Sequence, residues 1–456
     1  MKTTKKLILF IICLTIASMI VILSCKNRYT GTGPGDKGVF ETGQGEDNSG
    51  SGNNGDTGPI PLAGSGGGLV LGSGYKLPQN SLSQEEQEQD YDPDFNSVVL
   101  FANGKIPALT VTKSGVILAA AGTGESHNYI MVKRSSDMGK TWTEFQAKYD
   151  GFSSMYTHPF FINCHNGDIL MGVATTNKTC NETTLYRSKD NGATWTKQTN
   201  ICLTDVAKDN NWSTNEFNSF VTFGQGLTLR HGANASAKKL MFPYFYEATN
   251  IQNKNKIQWG TFAGIMCSED DGKTFKVNGY NGSFSSYEPD LVELSDGTVL
   301  LSMRPQSSGK RFWFKNPNNW NDCYDNADTS VDGIHTDFIR YEFNGKPIKN
   351  KETDNGDKYA LLIYSSSSGD YGIKMSTNDF NNGQKGGTKY HVEKELVLGE
   401  ANTDGYPAIT TLPDGTIATL TDENNGVVFR RFNLYWLSDG LRYIDYSTDL
   451  KENFNN

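Results

Sequence analysis

"RSSDMGKTW", residues 134–142, places two basic residues, a glycine and a tryptophan in nine positions, a mixture that suits neither a helix face nor a clean strand. It returns as "YRSKDNGATW" at 186–195 and as "MCSEDDGKTF" at 266–275. The shared pattern is a serine, an aspartate two or three positions on, then Gly-x-Thr-aromatic. The copies begin at Ser135, Ser188 and Ser268, 53 and 80 residues apart, and a decayed copy, "MSTNDFNNG", starts at Met375. Periods of about 40 to 50 residues filled with short strands predict a β-propeller of four-stranded antiparallel blades. Within each copy the Ser and Asp side chains can bond the amides of a tight turn, Gly can supply a positive φ, and the aromatic can pack between blades. Asp137, Asp190 and Asp271 are therefore read as turn-forming residues rather than catalytic carboxylates.

Working outward, the composition agrees with an all-β chain. Of 456 residues, 48 are glycine and 11% are aromatic, and long Ala/Leu/Glu/Lys runs of helical period are missing. A hydrophobic content of 36% is adequate for a core. The formal charge of -9, without a Lys/Arg cluster carrying interleaved aromatics, argues against a nucleic-acid partner. Short β-type runs such as "SVVLFA", "GDILMGVATT", "KLMFPYFY" and "GTIATLT" are each bounded by Gly, Asn, Asp or Pro.

Three segments are expected. Residues 1–25 read as an export signal, with Lys2, Lys5 and Lys6 before an apolar run from Leu7 to Leu23 and then Ser24-Cys25. An uncleaved anchor is the competing reading of that run. Residues 26–96, rich in Gly, Ser, Asn, Asp and Gln, read as a disordered tether with an end-to-end distance of roughly 45 Å. Residues 97–456 carry the propeller. Beyond Cys13 and Cys25, five cysteines remain (Cys164, Cys180, Cys202, Cys267 and Cys323), with no C-x-x-C pair and no His at zinc spacing. A Cys180–Cys202 disulfide suits an exported protein, and the odd number leaves at least one thiol free.

The sequence resembles the bacterial exo-sialidases, six-bladed propellers with Asp-box repeats. The resemblance rests on the boxes together with "GKIPALTVTKSG", "FGQGLTLRHG" through "LMFPYFY", "YEPDLVELSDGTVLLSMR", and "DGYPAITTLPDGTIATLTDEN" followed by "RFNLYWL", in family order across roughly residues 97 to 440. "VILSC" is likewise similar to the bacterial lipobox, which implies lipidation of Cys25 and a cell-envelope location, outer membrane or cell surface.

A sialoside carries a carboxylate on its anomeric carbon, so a carboxylate nucleophile would meet like charge; the family uses a tyrosine activated by a glutamate. The resemblance implies Tyr406 in "GYPAI" as nucleophile and Glu288 in "YEPD" as its base. Without the flanking matches these would read as a buried blade aromatic and a solvated strand-start residue. It also implies Arg304, sixteen residues after Glu288, as a ligand of the substrate carboxylate, which a guanidinium can grip bidentately.

The departures are as informative. Where the family has a first carboxylate-binding arginine before Ile-Pro-Ala-Leu, this chain has Lys105, which keeps the charge and loses the fork. The third arginine has only Ser367, Ser368, Gly369 and Asp370 at its place; Arg311 and Arg340 do not align and are assigned nothing. The acid/base aspartate is missing from "AGTGESHNYIMVKRS", where Glu125 is the preferred proton donor and His127 the second. An arginine usual after the opening strand is also gone, with Gly124 near its place.

Two functions stay open: a retaining exo-sialidase acting on sialylated glycoproteins, glycolipids or oligosaccharides, and a tethered propeller that binds glycans without cleaving them. Glu288, Tyr406 and Arg304 together favour the enzyme. No metal or cofactor is indicated.

Overall fold

The computed structural model describes residues 97–440 except 124–128, 149–154, 177–181, 203–212, 215–216, 223–224, 254–255, 281–285, 306–311, 316–322, 326–334, 344–345, 348–360, 368–369, 377–391 and 398–404. The repeated turn has one hydrogen-bond pattern. Ser135 Oγ donates to Asp137 Oδ1 at 2.8 Å and accepts from the Gly139 amide at 2.8 Å. The Asp137 carboxylate then accepts from the Thr141 amide at 2.9 Å and from Thr141 Oγ1 at 2.6 Å. Ser188, Asp190 and Thr194 repeat these contacts, as do Ser268, Asp270 and Thr274.

The third copy corrects the sequence reading, because its carboxylate is Asp270 rather than Asp271. Asp271 stands where Met138 and Asn191 stand in the other copies, with φ of 59°, 62° and 57° respectively. Its buried side chain is turned away from its own turn, accepting from the amides of His165 at 2.5 Å and Asn166 at 3.0 Å. The turns also tie neighbouring sheets together. Arg134 Nε donates to Asn191 O at 3.0 Å, and Arg187 donates to Asp271 O at 2.9 Å in the same way. Trp195 is buried, and Trp142 meets Phe429 edge-on with centroids 5.1 Å apart. A Cβ on Gly139, where φ is 86°, would come within 2.6 Å of the Phe429 ring, so close packing demands this glycine as much as the backbone does.

The sheets are antiparallel and stand in a propeller arrangement. Sheet I comprises Gly104–Val111, Ile117–Thr123, Tyr129–Ser135 and Thr143–Lys148; sheet II comprises Met155–Asn163, Ile169–Thr176, Glu182–Ser188 and Thr196–Cys202. Sheet III is built on Leu227–Thr228, Leu240–Asn253, Lys256–Ser268 and Lys276–Tyr280. Sheet IV comprises Ser286–Glu293, Val299–Pro305, Phe312–Lys315 and Cys323–Asp325, and sheet V comprises His335–Arg340, Leu361–Ser367, Asp370–Ser376 and Val392–Val397. Sheet VI holds Pro407–Thr411, Ile417–Glu423 and Gly426–Phe432, completed by Val98–Phe101 from the other end of the described chain.

The first strands of sheets I to VI touch one another in a closed cycle. The expectation of uniform four-stranded blades fails at sheet III, which has six strands. Leu240–Asn253 is 14 residues long and outruns Leu227–Thr228, and its spare length pairs with Phe217–Thr222 and Ser213–Thr214. A backbone strand left unpaired exposes a row of donors and acceptors, so the extra strands satisfy it.

Between first and second strands the same hairpin recurs. Gly115, Gly167, Gly297 and Gly415 donate to the carbonyls of Thr112, Cys164, Leu294 and Leu412 at 2.9 to 3.0 Å, each with φ between 79° and 87°. A turn closed by an i→i+3 bond and followed by a left-handed residue is a connection that matches strand twist. The second strands are buried on both faces, as in Ala119, Ala120 and Ala121, all fully buried. Cys202 is disulfide-bonded; Cys180 lies outside the described residues, as do Cys25 and the signal and tether. Cys164 and Cys267 are thiols, and burial pushes that of Cys164 up to about 12.

Candidate active site

A proline cannot donate to a strand ladder, and three first strands meet that constraint identically. Ile106-Pro107, His158-Pro159 and Glu288-Pro289 each sit at a break in register, between Lys105 and Ala108, Thr157 and Phe160, and Tyr287 and Asp290. Ile106, His158 and Glu288 have φ of 55°, 51° and 44°. Such bulges re-aim a side chain and cost of order 1–3 kcal/mol each in backbone strain. With Gln225, His335 and Tyr406 these residues line one open concavity at the amino ends of the first strands.

Glu288 is the hub. Tyr406 Oη donates to its Oε1 at 3.2 Å, and Arg304 donates to its Oε2 at 2.9 Å. His335 Nδ1 lies 3.0 Å from the same Oε2, and the His335 ring is tilted 39° against the Tyr406 ring with centroids 3.7 Å apart. Burial pushes the Glu288 pKa up, but the charges and hydrogen bonds of His335 and Arg304 outweigh it and hold the carboxyl down at about 2. It is an anion at neutral pH.

His158 is edge-on to Tyr406 at 6.2 Å, with Nδ1 2.8 Å from Thr157 Oγ1. Desolvation lowers its pKa to about 3, so it is neutral. Below it Asp337 accepts from the Ile409 amide at 2.7 Å and Gln225 Nε2 at 2.6 Å, and burial still raises its carboxyl to about 7.

The structure therefore brings Tyr406, Glu288 and Arg304 together. Lys105 stands at the rim: its side chain is 52% exposed, and its ammonium is 3.8 Å from the buried carboxylate of Asp422, whose amide bonds Tyr406 O at 3.1 Å. It is not among the residues lining the concavity. Glu125, His127, Gly124, Ser368, Gly369 and Arg311 lie outside the described residues. Arg340 is buried at the far end of its strand, bound to Glu342, the Glu293 carbonyl and Ser295.

Sequence reasoning missed His158 and His335. The first had a signal: "KIPAL", "THPFF", "YEPDL" and "GYPAI" form one series of x-Pro strand starts, and the residue before each proline faces the concavity. His335 in "HTDF" has no proline and no such mark.

No family model matches the chain. In sequence it is similar to the sialidase of Micromonospora viridifaciens, 26% identical over 379 residues, 74% of this chain and 52% of that protein. It is also similar to the sialidase of Bacteroides fragilis strain YCH46, 24% identical over 369 residues, 70% of this chain and 60% of that protein. The chain thus spans about half the length of the first relative and three fifths of the second. Among solved structures, the Hadza microbial sialidase Hz136 superposes with a TM-score of 0.57 at 19% identity, covering 74% of this chain and 66% of that one, a likeness of fold.

Proposed function

We propose that this chain is a retaining exo-sialidase built on a six-bladed propeller. The observation that carries the reading is the Tyr406–Glu288 contact at 3.2 Å with Arg304 on the other carboxylate oxygen. Tyr406 Oη attacks the anomeric carbon while Glu288 takes its proton and the bond to the aglycone oxygen breaks. A neutral phenol approaches a carbon bearing a carboxylate without the repulsion a second carboxylate would meet. Water then displaces the tyrosine. Glu125 is proposed to protonate the leaving oxygen and return as base.

Arg304, its side chain 32% exposed, can turn from Glu288 toward the substrate carboxylate. Lys105 is proposed as a second cation for that group, leaving Asp422 when substrate arrives. The substrates would be sialylated glycoproteins, glycolipids or oligosaccharides at the cell envelope, with Cys25 lipidated and residues 26–96 as tether. The rim position of Lys105 and its contact with Asp422 favour one other reading, a propeller that binds glycans without cleaving them.

Protein lacking residues 1–96 is expected to release the fluorophore from an α-sialoside, and Tyr406→Phe to lower the rate by about a thousandfold or more. Equal turnover by the two proteins removes Tyr406 as nucleophile, and binding without turnover selects the glycan-binding reading.

A further inference from the structure

His335 opens the strand His335–Arg340 and is only 2% exposed, yet it touches both members of the tyrosine–glutamate pair. Its ring lies against Tyr406 at 3.7 Å, and its Nδ1 is 3.0 Å from Glu288 Oε2. An ionised carboxylate only accepts hydrogen bonds, so Nδ1, at 3.0 Å from Oε2, faces it as an N–H. Arg304 offsets Glu288, His158 is neutral, and Asp337 on the same strand is half protonated near pH 7 and engaged by Gln225 and Ile409.

Arg304 cannot serve as the permanent partner of Glu288. Under the proposed hydrolase, on which this inference rests, it must also hold the substrate carboxylate, and it is the more exposed of the two groups on Oε2, 32% against 3% for His335. Were Arg304 the sole partner, its departure would leave a buried carboxylate without a charge-assisted donor, which would then bind a proton and cease to accept one.

The geometry points to His335 as a positioning residue that keeps Glu288 ionised and aimed at Tyr406 Oη, by donating from Nδ1 to Oε2 while its stacked ring fixes the phenol beside Oε1. The substrate cannot compete for this donor because it is buried. Arg304 is thereby released for recognition, and the pair remains poised for proton transfer.

The test is a titration that does not require turnover. Protein with ¹³C-labelled glutamate side chains is followed by NMR as pH falls, the Glu288 carboxyl being assigned by its loss in Glu288→Gln. Wild type is expected to stay ionised to the lowest pH at which it remains folded. In His335→Phe, which keeps an aromatic ring and removes the donor, the Glu288 midpoint should rise by about one pH unit or more. His335→Asn, which offers an amide donor, should fall between the two and decides the matter if the Phe variant does not fold. A Glu288 titration unchanged in both variants overturns the inference. The acid limb of kcat/KM on an α-sialoside should move in step with the NMR midpoint. If wild type cleaves no sialoside while the Glu288 titration still follows His335, the hydrolase reading falls and the coupling stands.

Discussion

Replacing Glu288 with glutamine keeps the shape of the hub and removes its charge. In the folded protein the carboxyl is shifted from its ordinary 4.5 to about 2. A shift of that size corresponds to about 3 kcal/mol of folding stability, at about 1.36 kcal/mol for each pH unit. The group is 11% exposed, so solvent screening removes little of this. Because the folded pKa is depressed, the contribution is present above the unfolded value and disappears as pH falls from about 4.5 toward 2. Urea unfolding of wild type and Glu288→Gln at pH 7, 5, 4 and 3 should therefore show a gap of about 3 kcal/mol at neutral pH that narrows below pH 4.5. A gap of the same size at every pH would mean that the substitution acts by misfitting the amide, and no gap at pH 7 would mean that Arg304 and His335 contribute nothing to Glu288. Hydrolysis of an α-sialoside should be lost at all of these pH values.

Trp195→Ala should destabilise folding by about 3 to 5 kcal/mol in denaturant titrations, because the indole is buried and bonds Gly192 O at 3.1 Å, and the partly buried Trp142 should cost less. Retained stability with lost activity would make the repeated turn functional. Lys105→Ala should raise KM for an α-sialoside by about tenfold, with no change for an analogue lacking the carboxylate, and Lys105→Arg should be neutral or better. Equal effects on both substrates would confine Lys105 to its contact with Asp422. Asp337 has a folded pKa raised to about 7 by burial, so its contribution is present below the unfolded 3.8 and is lost as pH climbs through about 7. Asp337→Asn should accordingly be more stable relative to wild type at pH 8 than at pH 4, and thermal melts showing the opposite trend would refute that assignment.

What the sequence by itself determined is what depends on a few neighbouring bonds. Ser135, Asp137, Gly139 and Thr141 close their turn within seven residues, using side-chain oxygens and local amides, so the motif can be read wherever it is written. The Pro residues after Ile106, His158 and Glu288 mark breaks in the strand ladder near the starts of first strands, whereas Pro243, inside a long strand, keeps its register. Short apolar β-type runs bounded by Gly, Asn, Asp or Pro specify strands, which is why the all-β class and the repeating sheets were legible. Glu288 and Tyr406 were found by their flanking residues, though not their 3.2 Å separation across 118 residues of chain.

Closure of the ring decided the rest. Asp270 makes the turn because it stands two residues after Ser268, as Asp137 and Asp190 stand after Ser135 and Ser188, whereas Asp271 meets its partners, the amides of His165 and Asn166, only in the neighbouring sheet. The six strands of sheet III follow from the mismatch between a two-residue first strand and its 14-residue partner. His335 became a site residue, and Lys105 a rim residue held by Asp422, only when strands from sheets IV, V and VI met those of sheet I. Contacts of this kind join side chains that no local pattern relates, and their partners exist only once the sheets pack around a common axis.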